Sequence, residues 1–501
     1  MELLGNLVVG FETALHLQNI FYCFVGVLLG TLIGVLPGVG PTATIAMLLP
    51  VTFALSPNAA LIMLAGIYYG AQYGGSTTAI LMNLPGEASS AVTAIDGYKM
   101  ARQGRAGPAL AIAALGSFFA GTIATLVIAV SSPLLTRVAL QFGPEEYFSL
   151  IVFGLICSVA LAHGPVLKAL AMIVMGLLLG LVGTDVYTGA QRFTLGYLEL
   201  FDGINVVAVA VGVFGVAEIL RNLEDERGRP AGHVAVGPLM PSREDFRRSI
   251  GPAIRGTVLG SLLGVLPGGG ALLSSFASYT TEKKLSRTPE RFGNGAIEGV
   301  AGPESANNAG AQTSFIPMLT LGIPSNAVMA LMIGALILQG IVPGPNVATE
   351  RPDLFWGLIA SMWIGNLMLV LLNLPLIGIW VRLLKVPYYV LFPAIIAFSA
   401  IGIFSVNGNP FDLYMLTIFG IVGYLLTKLD CEPAPFLLGF VLGPMFEEHL
   451  RRAMILSRGD PSVFVTSPIS AAFLALSVIM LILVVLPSIR GKRQEIFVES
   501  D

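Results

Sequence analysis

The sequence predicts an all-α polytopic membrane protein of about 10–13 membrane segments, arranged as two inverted structural repeats with broken helices and re-entrant hairpins. Three observations predict it: sparse charge, an internal duplication, and basic loops that alternate between the two copies. The chain has 501 residues, 55% hydrophobic and only 11% charged, with mean hydropathy +0.82. A soluble protein carries about 25% charged residues, so charge this sparse points to lipid. Gly30-Thr31-Leu32-Ile33-Gly34-Val35-Leu36-Pro37-Gly38-Val39-Gly40 returns as Gly260-Ser261-Leu262-Leu263-Gly264-Val265-Leu266-Pro267-Gly268-Gly269-Gly270, with eight of eleven positions identical at an offset of 230 residues. Each copy is an apolar helical run that stops at a Pro-Gly break. A break at membrane depth frees backbone groups to hold a solute or an ion.

Read in order, Met1–Ile20 carries Glu2 and Glu12 but no Lys or Arg, so it lacks the positive start of a signal peptide. Residues 17–220 form the first repeat, with apolar runs of spanning length at Ala109–Val130, Phe148–Ala162, Val166–Val182 and Ile204–Leu220. A polar joint, 221–254, holds Arg221, Arg227, Arg229, Arg243, Arg247 and Arg248 and reads as a cytoplasmic linker. Within it, Ser242 and Asp245 have the spacing of a capping box opening a short amphipathic helix. Residues 255–447 form the second repeat. Residues 448–501 are a C-terminal extension with a final transmembrane helix at Ile469–Leu486. Ser117 and Gly121 are echoed by Ser361 and Gly365, and Phe193-Thr194-Leu195-Gly196 by Phe436-Leu437-Leu438-Gly439, so the duplication runs well beyond the break.

The basic residues orient the two copies. Lys99, Arg102 and Arg105 have only Arg351 as a counterpart in the second copy, while Lys283, Lys284, Arg287 and Arg291 have none in the first. Rich loops therefore alternate, as inversion requires. Placed on an inverted plan, eighteen Lys and Arg fall inside and three, Arg137, Arg192 and Arg351, fall outside. The clusters Arg451–Arg458 and Arg490–Arg493 flank the last helix and compete for the inner side.

Four polar stretches interrupt the apolar pattern. In Pro37–Thr44, Gly38 and Gly40 permit close backbone approach, Pro41 suits the first turn of a new helix, and Thr42 lies near its start. A half-helix N-terminus offers free N–H groups and partial positive charge to a carboxylate. A tight turn with no ligand is the plainer reading of one copy; duplication favours the functional one. Tyr68–Ser90 supplies Gln72, Ser76, Thr77, Thr78 and Asn83, framed by Gly74-Gly75 and Pro85-Gly86 as hairpin breaks. Five neutral polar groups exceed what back-bonding within a helix accounts for. Ala301–Asn326 is its counterpart, with Glu304, Asn307 and Asn308 within one helical turn, then Thr313 and Ser325. Glu304 is the candidate carboxylate for a coupling cation or proton; otherwise it is a surface Glu at a helix head. Gly268–Ser275 repeats the first break through Gly268 and Gly270 but has Leu272 and Ser274 where the first has Thr42 and Thr44.

Several chemistries find no support. There is no phosphate loop, no H-E-x-x-H, and none of His16, His163, His233 or His449 sits beside a Ser or a metal-ligand partner in an apolar run. Cys23, Cys157 and Cys431 are scattered and suggest neither a disulfide nor a metal site. No basic tract suits nucleic acid. The residues point away from an enzyme and imply no cofactor beyond a coupling cation or proton.

The Leu-Pro-Gly-x-Gly break, Tyr73-Gly-Gly-Ser-Thr-Thr-Ala-Ile-Leu-Met-Asn-Leu-Pro-Gly-Glu87 and Pro303-Glu-Ser-Ala-Asn-Asn-Ala309 resemble the large membrane subunit, TctA, of the tripartite tricarboxylate transporters. The resemblance covers nearly the whole chain. It implies a multi-pass protein of the bacterial inner membrane that imports an organic carboxylate by symport with an ion, sodium or a proton. It also implies two partners, a small membrane subunit (TctB-like) and a periplasmic solute-binding protein (TctC-like). On this reading Gly38, Gly40, Thr42, Ser76, Thr77, Thr78, Asn83, Gly268, Gly270, Thr313 and Ser325 contact substrate, and Glu304, Asn307 and Asn308 couple the ion. The rivals are a stand-alone carboxylate:cation symporter, an intramembrane enzyme, for which the sequence offers no reactive pair, and a channel, which two closed breaks suit less than alternating access.

Overall fold

The structure is a computed structural model that describes residues 2–36, 40–162, 165–224, 236–266, 270–383 and 388–485. Apolar periodicity makes nearly all of it helix. The first part comprises α1 (Glu2–Ala14), α2 (Leu17–Gly34), α3 (Pro41–Leu48), α4 (Pro57–Met82), α5 (Ala91–Met100), α6 (Ala106–Ala139), α7 (Pro144–Leu161) and α8 (Val166–Gly180). A two-stranded antiparallel ribbon, β1 (Gly183–Thr184) and β2 (Gln191–Arg192), precedes α9 (Val206–Ala210) and α10 (Ala217–Glu224). The second part comprises α11 (Arg243–Leu263), α12 (Gly270–Leu285), α13 (Glu298–Thr313), α14 (Phe315–Leu321), α15 (Ala327–Leu338), α16 (Val347–Glu350) and α17 (Pro352–Asn373). It continues with α18 (Ile377–Leu383), α19 (Tyr388–Asn407), α20 (Pro410–Lys428) and α21 (Pro433–Leu456), and the chain closes with α22 (Val463–Thr466) and α23 (Pro468–Val485). The apolar runs named from sequence lie in α6, α7, α8, α9–α10 and α23.

The capping box at Ser242 forms as expected, each partner bonding the other's backbone N–H. The helix it opens is not short. It runs through the boundary drawn at 254/255 to Leu263 as α11, because the apolar run after Arg255 continues its periodicity. Nor does Gly74-Gly75 break α4, which continues to Met82. Mid-helix glycine costs only about 1 kcal/mol relative to alanine, and here it permits close helix contact.

That contact is duplicated. A Cβ on Gly26, Gly30 or Gly34 of α2 would fall 2.2, 2.3 and 2.5 Å from backbone atoms of Met63, Ile67 and Ala71 on α4. A Cβ on Gly256 or Gly260 of α11 would fall 2.2 and 2.4 Å from the carbonyls of Gly302 and Ala306 on α13, and one on Gly264 would fall 2.5 Å from that of Gly310. Small residues at every fourth position let two backbones touch in a membrane, where lipid offers helices no hydrophobic drive to associate.

Among the described residues, five helical stretches are long and apolar enough to cross a membrane: Leu17–Gly34, Ala88–Ala139, Val206–Glu224, Pro352–Asn373 and Pro410–Lys428. The chain is an all-α membrane protein. Neither α4 nor α13 is among the five. α13 is polar and α4 carries a polar stretch from Gln72 to Thr78, and every residue from Ala59 to Leu81 and from Gly299 to Thr313 is buried inside the protein. Polar helices can sit at membrane depth only when enclosed in this way.

Polar contacts tie distant stretches together at the helix ends. Gln103 Nε2 donates to Asn294 O at 2.9 Å, and Arg105 pairs with Asp245. Asp96, fully buried, accepts backbone N–H bonds from Gly293, Gly295 and Ala296 at 2.8–2.9 Å and one from Tyr279 Oη at 3.0 Å. Lys428 pairs with Glu224, and Lys168 with Asp430. Elsewhere, Asn58 Nδ2 donates to Asp353 at 2.9 Å. Each of these contacts joins stretches that the charge pattern assigns to one side. Arg451 bonds Asp185 and Glu447, both partners of Arg192, and so lies at the Arg192 end. The competing cluster, 490–493, lies outside the described residues.

Candidate functional site

The broken helices and the polar helices meet. Pro41 opens α3 at its first position, as its fixed φ predicts, and Gly40 precedes it in extended conformation, φ −71° and ψ 172°. A Cβ on Gly40 would sit 3.4 Å from the carbonyl of Gly86. In the second copy a Cβ on Gly270 would sit 3.0 Å from Ser314 Oγ and 3.5 Å from Asn326 Nδ2. Each break therefore abuts a loop beyond the polar helix of its own copy: Asn83–Glu87 directly after α4, and Gly322–Asn326 after α14, which follows α13. Gly38 and Gly268 lie outside the described residues.

The locks between break and polar helix also match. Thr78 Oγ1 donates to Val35 O at 2.6 Å, and Ser314 Oγ donates to Gly264 O at 3.3 Å. Thr77 and Thr313 bond carbonyls four residues back in their own helices, and Thr313 also reaches Gly260 O at 3.4 Å. Ser325 Oγ donates to Ser314 O at 3.2 Å. Here Thr78, Thr313 and Ser325 shape the nodes with their hydroxyl protons. Thr42 is half-buried on α3. Asn83 is exposed and left-handed, φ 58°, terminating α4 rather than reaching inward, a conformation asparagine tolerates.

Glu304 is the centre of the polar interior. It lies in the second turn of α13, not at a surface helix head, and is 1% exposed. Its Oε2 accepts from Ser76 Oγ at 2.7 Å and its Oε1 from Thr93 Oγ1 at 2.5 Å. One turn on, Asn308 Nδ2 donates to Ser117 Oγ at 2.6 Å and Asn307 Nδ2 to Glu87 Oε1 at 2.9 Å. Helical spacing brings 304, 307 and 308 to the same region of α13, facing α4, α5, α6 and the loop after α4. Ser76, expected from sequence at the substrate, is thus placed on Glu304, beside Asn307 and Asn308.

Two carboxylates meet this cluster, and among the described residues no Lys, Arg or His bonds either one. The Oδ1 of Asn307 and the Oε1 of Gln72 are buried acceptors without a hydrogen-bond donor. A cavity of about 20 Å³, lined by Tyr73, Ser76, Thr77, Ser117, Glu304 and Asn373 among others, adjoins Glu304. That volume suits about one water or a small ion, not an organic acid. The chemistry on offer is a dense set of oxygen acceptors and two carboxyl groups, Glu304 buried and Glu87 half-buried, which suits a cation or a proton.

Sequence reading missed several members. Thr93 and Ser117 sit on α5 and α6, outside the four polar stretches, and Glu87 was not counted as a site residue. A second layer was missed entirely: Tyr73 Oη donates to Asn366 Oδ1 at 3.1 Å, and Thr125 Oγ1 to Gln312 Oε1 at 2.6 Å. Asn366 carried a signal, being an amide in the middle of an apolar span.

The model of the Tripartite tricarboxylate transporter TctA family matches residues 20–438. An "Uncharacterized 52.8 kDa protein in TAR-I ttuC' 3'region" of Agrobacterium vitis is 68% identical over 501 residues, the whole of both chains. An "Uncharacterized protein in TAR-II ttuC' 3'region" of the same organism is 68% identical over 242 residues, covering 48% of this chain and all of that one. No solved structure matches.

Proposed function

Because the chain belongs to the tripartite tricarboxylate transporter TctA family, we propose that it imports a tri- or dicarboxylate, or a related organic anion, across the bacterial inner membrane by symport with sodium or a proton. A periplasmic binding protein delivers the substrate, and a small membrane subunit completes the assembly; the tripartite character of the family supports both partners. The two halves are inverted repeats, which the alternating basic loops and the matched glycine contacts support.

Glu304 carries the reading. A carboxylate buried among hydroxyls and amides, with no basic partner among the described residues, is costly when ionised unless something neutralises it. A co-transported cation or proton does so, and its departure changes the charge of the site. The carboxylate substrate is held separately, at the breaks. There the N-termini of α3 and α12 present N–H groups and positive potential without a buried Lys or Arg. Gly40 gives the approach at one break and Gly270 at the other.

The test is uptake of labelled citrate, as a representative tricarboxylate, into proteoliposomes holding the full assembly, with sodium and proton gradients imposed separately. The proposal expects one gradient to drive accumulation and omission of the binding protein to abolish it. Accumulation without either gradient contradicts symport; full uptake without the binding protein favours the stand-alone carrier.

A further inference from the structure

We infer that a pocket between α11, α12 and the segment 286–298 binds the headgroup of a phosphoethanolamine lipid, its phosphate on arginines and its ammonium on Glu298. The pocket is distinct from the Glu304 site. Its volume is about 450 Å³, and its walls include Arg248, Arg255, Arg287, Glu282, Glu298 and Phe292.

The charges are arranged unequally. Glu282 holds Arg255 in a two-pronged pair, Nε to Oε1 at 2.8 Å and Nη2 to Oε2 at 2.6 Å, so that pair is self-satisfied. Glu298 is not so engaged. Its Oε1 is 3.8 Å from both Arg248 Nε and Arg291 Nη1, beyond hydrogen-bond range, and its Oε2 is a buried acceptor without a donor. Arg287 stands exposed at the pocket wall, with no ion pair among the described residues. Arg248 Nε is also 3.3 Å from Glu244 Oε1, on the same helix. The pocket therefore offers one guanidinium without an ion pair among the described residues, Arg287, and one shared between Glu244 and Glu298, beside one carboxylate oxygen that needs a donor. A simple anion would use the guanidinium groups and leave the carboxylate oxygen unmet. A phosphate joined to a primary ammonium two carbons away meets both.

A lipid, not a free phosphoethanolamine, is indicated by the surface beside the pocket. Phe246, Ile250, Ile254, Val258 and Leu262 recur at every fourth position of α11 and are all about half exposed or more. They form one apolar stripe about 24 Å long at 1.5 Å per residue. Arg248 and Arg255 on the same helix turn into the pocket. One helix thus presents a charged headgroup pocket and an acyl-chain track together, the arrangement by which pockets between membrane helices select lipids.

The purified full-length protein would be released from nanodiscs of equal phosphatidylethanolamine, phosphatidylglycerol and phosphatidylcholine, and retained lipid counted by native mass spectrometry. Wild type should retain phosphatidylethanolamine about tenfold over phosphatidylcholine, whose quaternary ammonium has no N–H to donate to Glu298. Glu298→Gln should bring phosphatidylethanolamine down to the level of phosphatidylglycerol. Arg287→Gln, at an exposed position that leaves folding intact, should lower both lipids. Equal retention of the three lipids by wild type, phosphatidylglycerol above phosphatidylethanolamine, or unchanged retention in Arg287→Gln would each overturn the assignment. Free phosphoethanolamine displacing the lipid at equal concentration would overturn the lipid as the source. If Glu298→Gln does not fold, the wild-type preference and Arg287→Gln decide alone.

Discussion

Ser76 Oγ donates a 2.7 Å hydrogen bond to Glu304 Oε2, joining residues 228 positions apart on the two enclosed polar helices. The same carboxylate takes a second bond from Thr93 of α5. Three elements thus converge on one carboxyl group, and two of them belong to the copy of the duplication that does not contain it. Glu304 is bonded from the other copy by two hydroxyls, Ser76 and Thr93.

The duplicated glycine contacts set the distance between the break helices and the polar helices. Gly30→Ala and Gly260→Ala each place a methyl carbon within 2.4 Å of a backbone carbonyl. Overpacking of this kind costs about 1–3 kcal/mol. Both variants should lower the midpoint of thermal unfolding in detergent by several degrees, while Gly378→Ala, with open space around it, should not. Equal midpoints for all three would mean that the helices are not held at contact distance.

Asp96 is a buried acceptor for three backbone N–H groups and one phenol. Asp96→Ala leaves those donors unmet, at about 1–3 kcal/mol each before relaxation. Asp96→Asn keeps one oxygen for the backbone donors. Thermal unfolding should therefore rank wild type above Asp96→Asn and place Asp96→Ala well below both; the reverse order of the two variants would contradict the bonding described.

The two breaks should respond differently to the same substitution. Gly40 has an ordinary φ, and its Cβ would make a van der Waals contact, so Gly40→Val should fold with unfolding temperature nearly unchanged yet lose most transport. Gly270 has φ +23°, a conformation that strains any side chain, and its Cβ would crowd Ser314 Oγ at 3.0 Å. Gly270→Val should lose both stability and transport. Normal uptake by Gly40→Val would reduce the first break to a turn.

Orientation is tested by labelling in right-side-out and inverted vesicles. With Cys431 replaced, cysteines at Gln103 and Ser286 should react from the same face and one at Ser56 from the other. Labelling of Gln103 and Ser286 from opposite faces would exclude the inverted arrangement.

The all-α, membrane character was legible because lipid imposes it: apolar runs such as Ala109–Val130 reappear inside helices, and the capping residues of α11 and the Pro at the head of α3 acted locally. The enclosed helices were harder to read. Gly74-Gly75 looks like a break in one dimension, and only the approach of α2 shows why glycine sits within a continuous helix. At the site, Glu304, Asn307 and Asn308 could be grouped because helical spacing is local. Thr93, Ser117 and Asn366 could not, since their partners lie 191 to 293 residues away and depend on how helices pack. Asn83 shows the opposite failure: a polar side chain beside a break whose role is to end a helix.

The central claim is that Glu304 couples the ion, and the most direct measurement separates coupling from translocation. Proteoliposomes carrying Glu304→Gln, Glu87→Gln or wild type would be assayed for gradient-driven accumulation of labelled citrate and for citrate–citrate exchange without a gradient. The amide of Glu304→Gln still accepts a hydroxyl proton but cannot bind a proton or neutralise a cation. It should lose accumulation, by at least about tenfold, while keeping exchange. Glu87→Gln can still accept from Asn307 and should keep both. Gradient-driven accumulation by Glu304→Gln at the wild-type level, with unchanged ion dependence, would contradict the account and leave Glu304 as a structural residue.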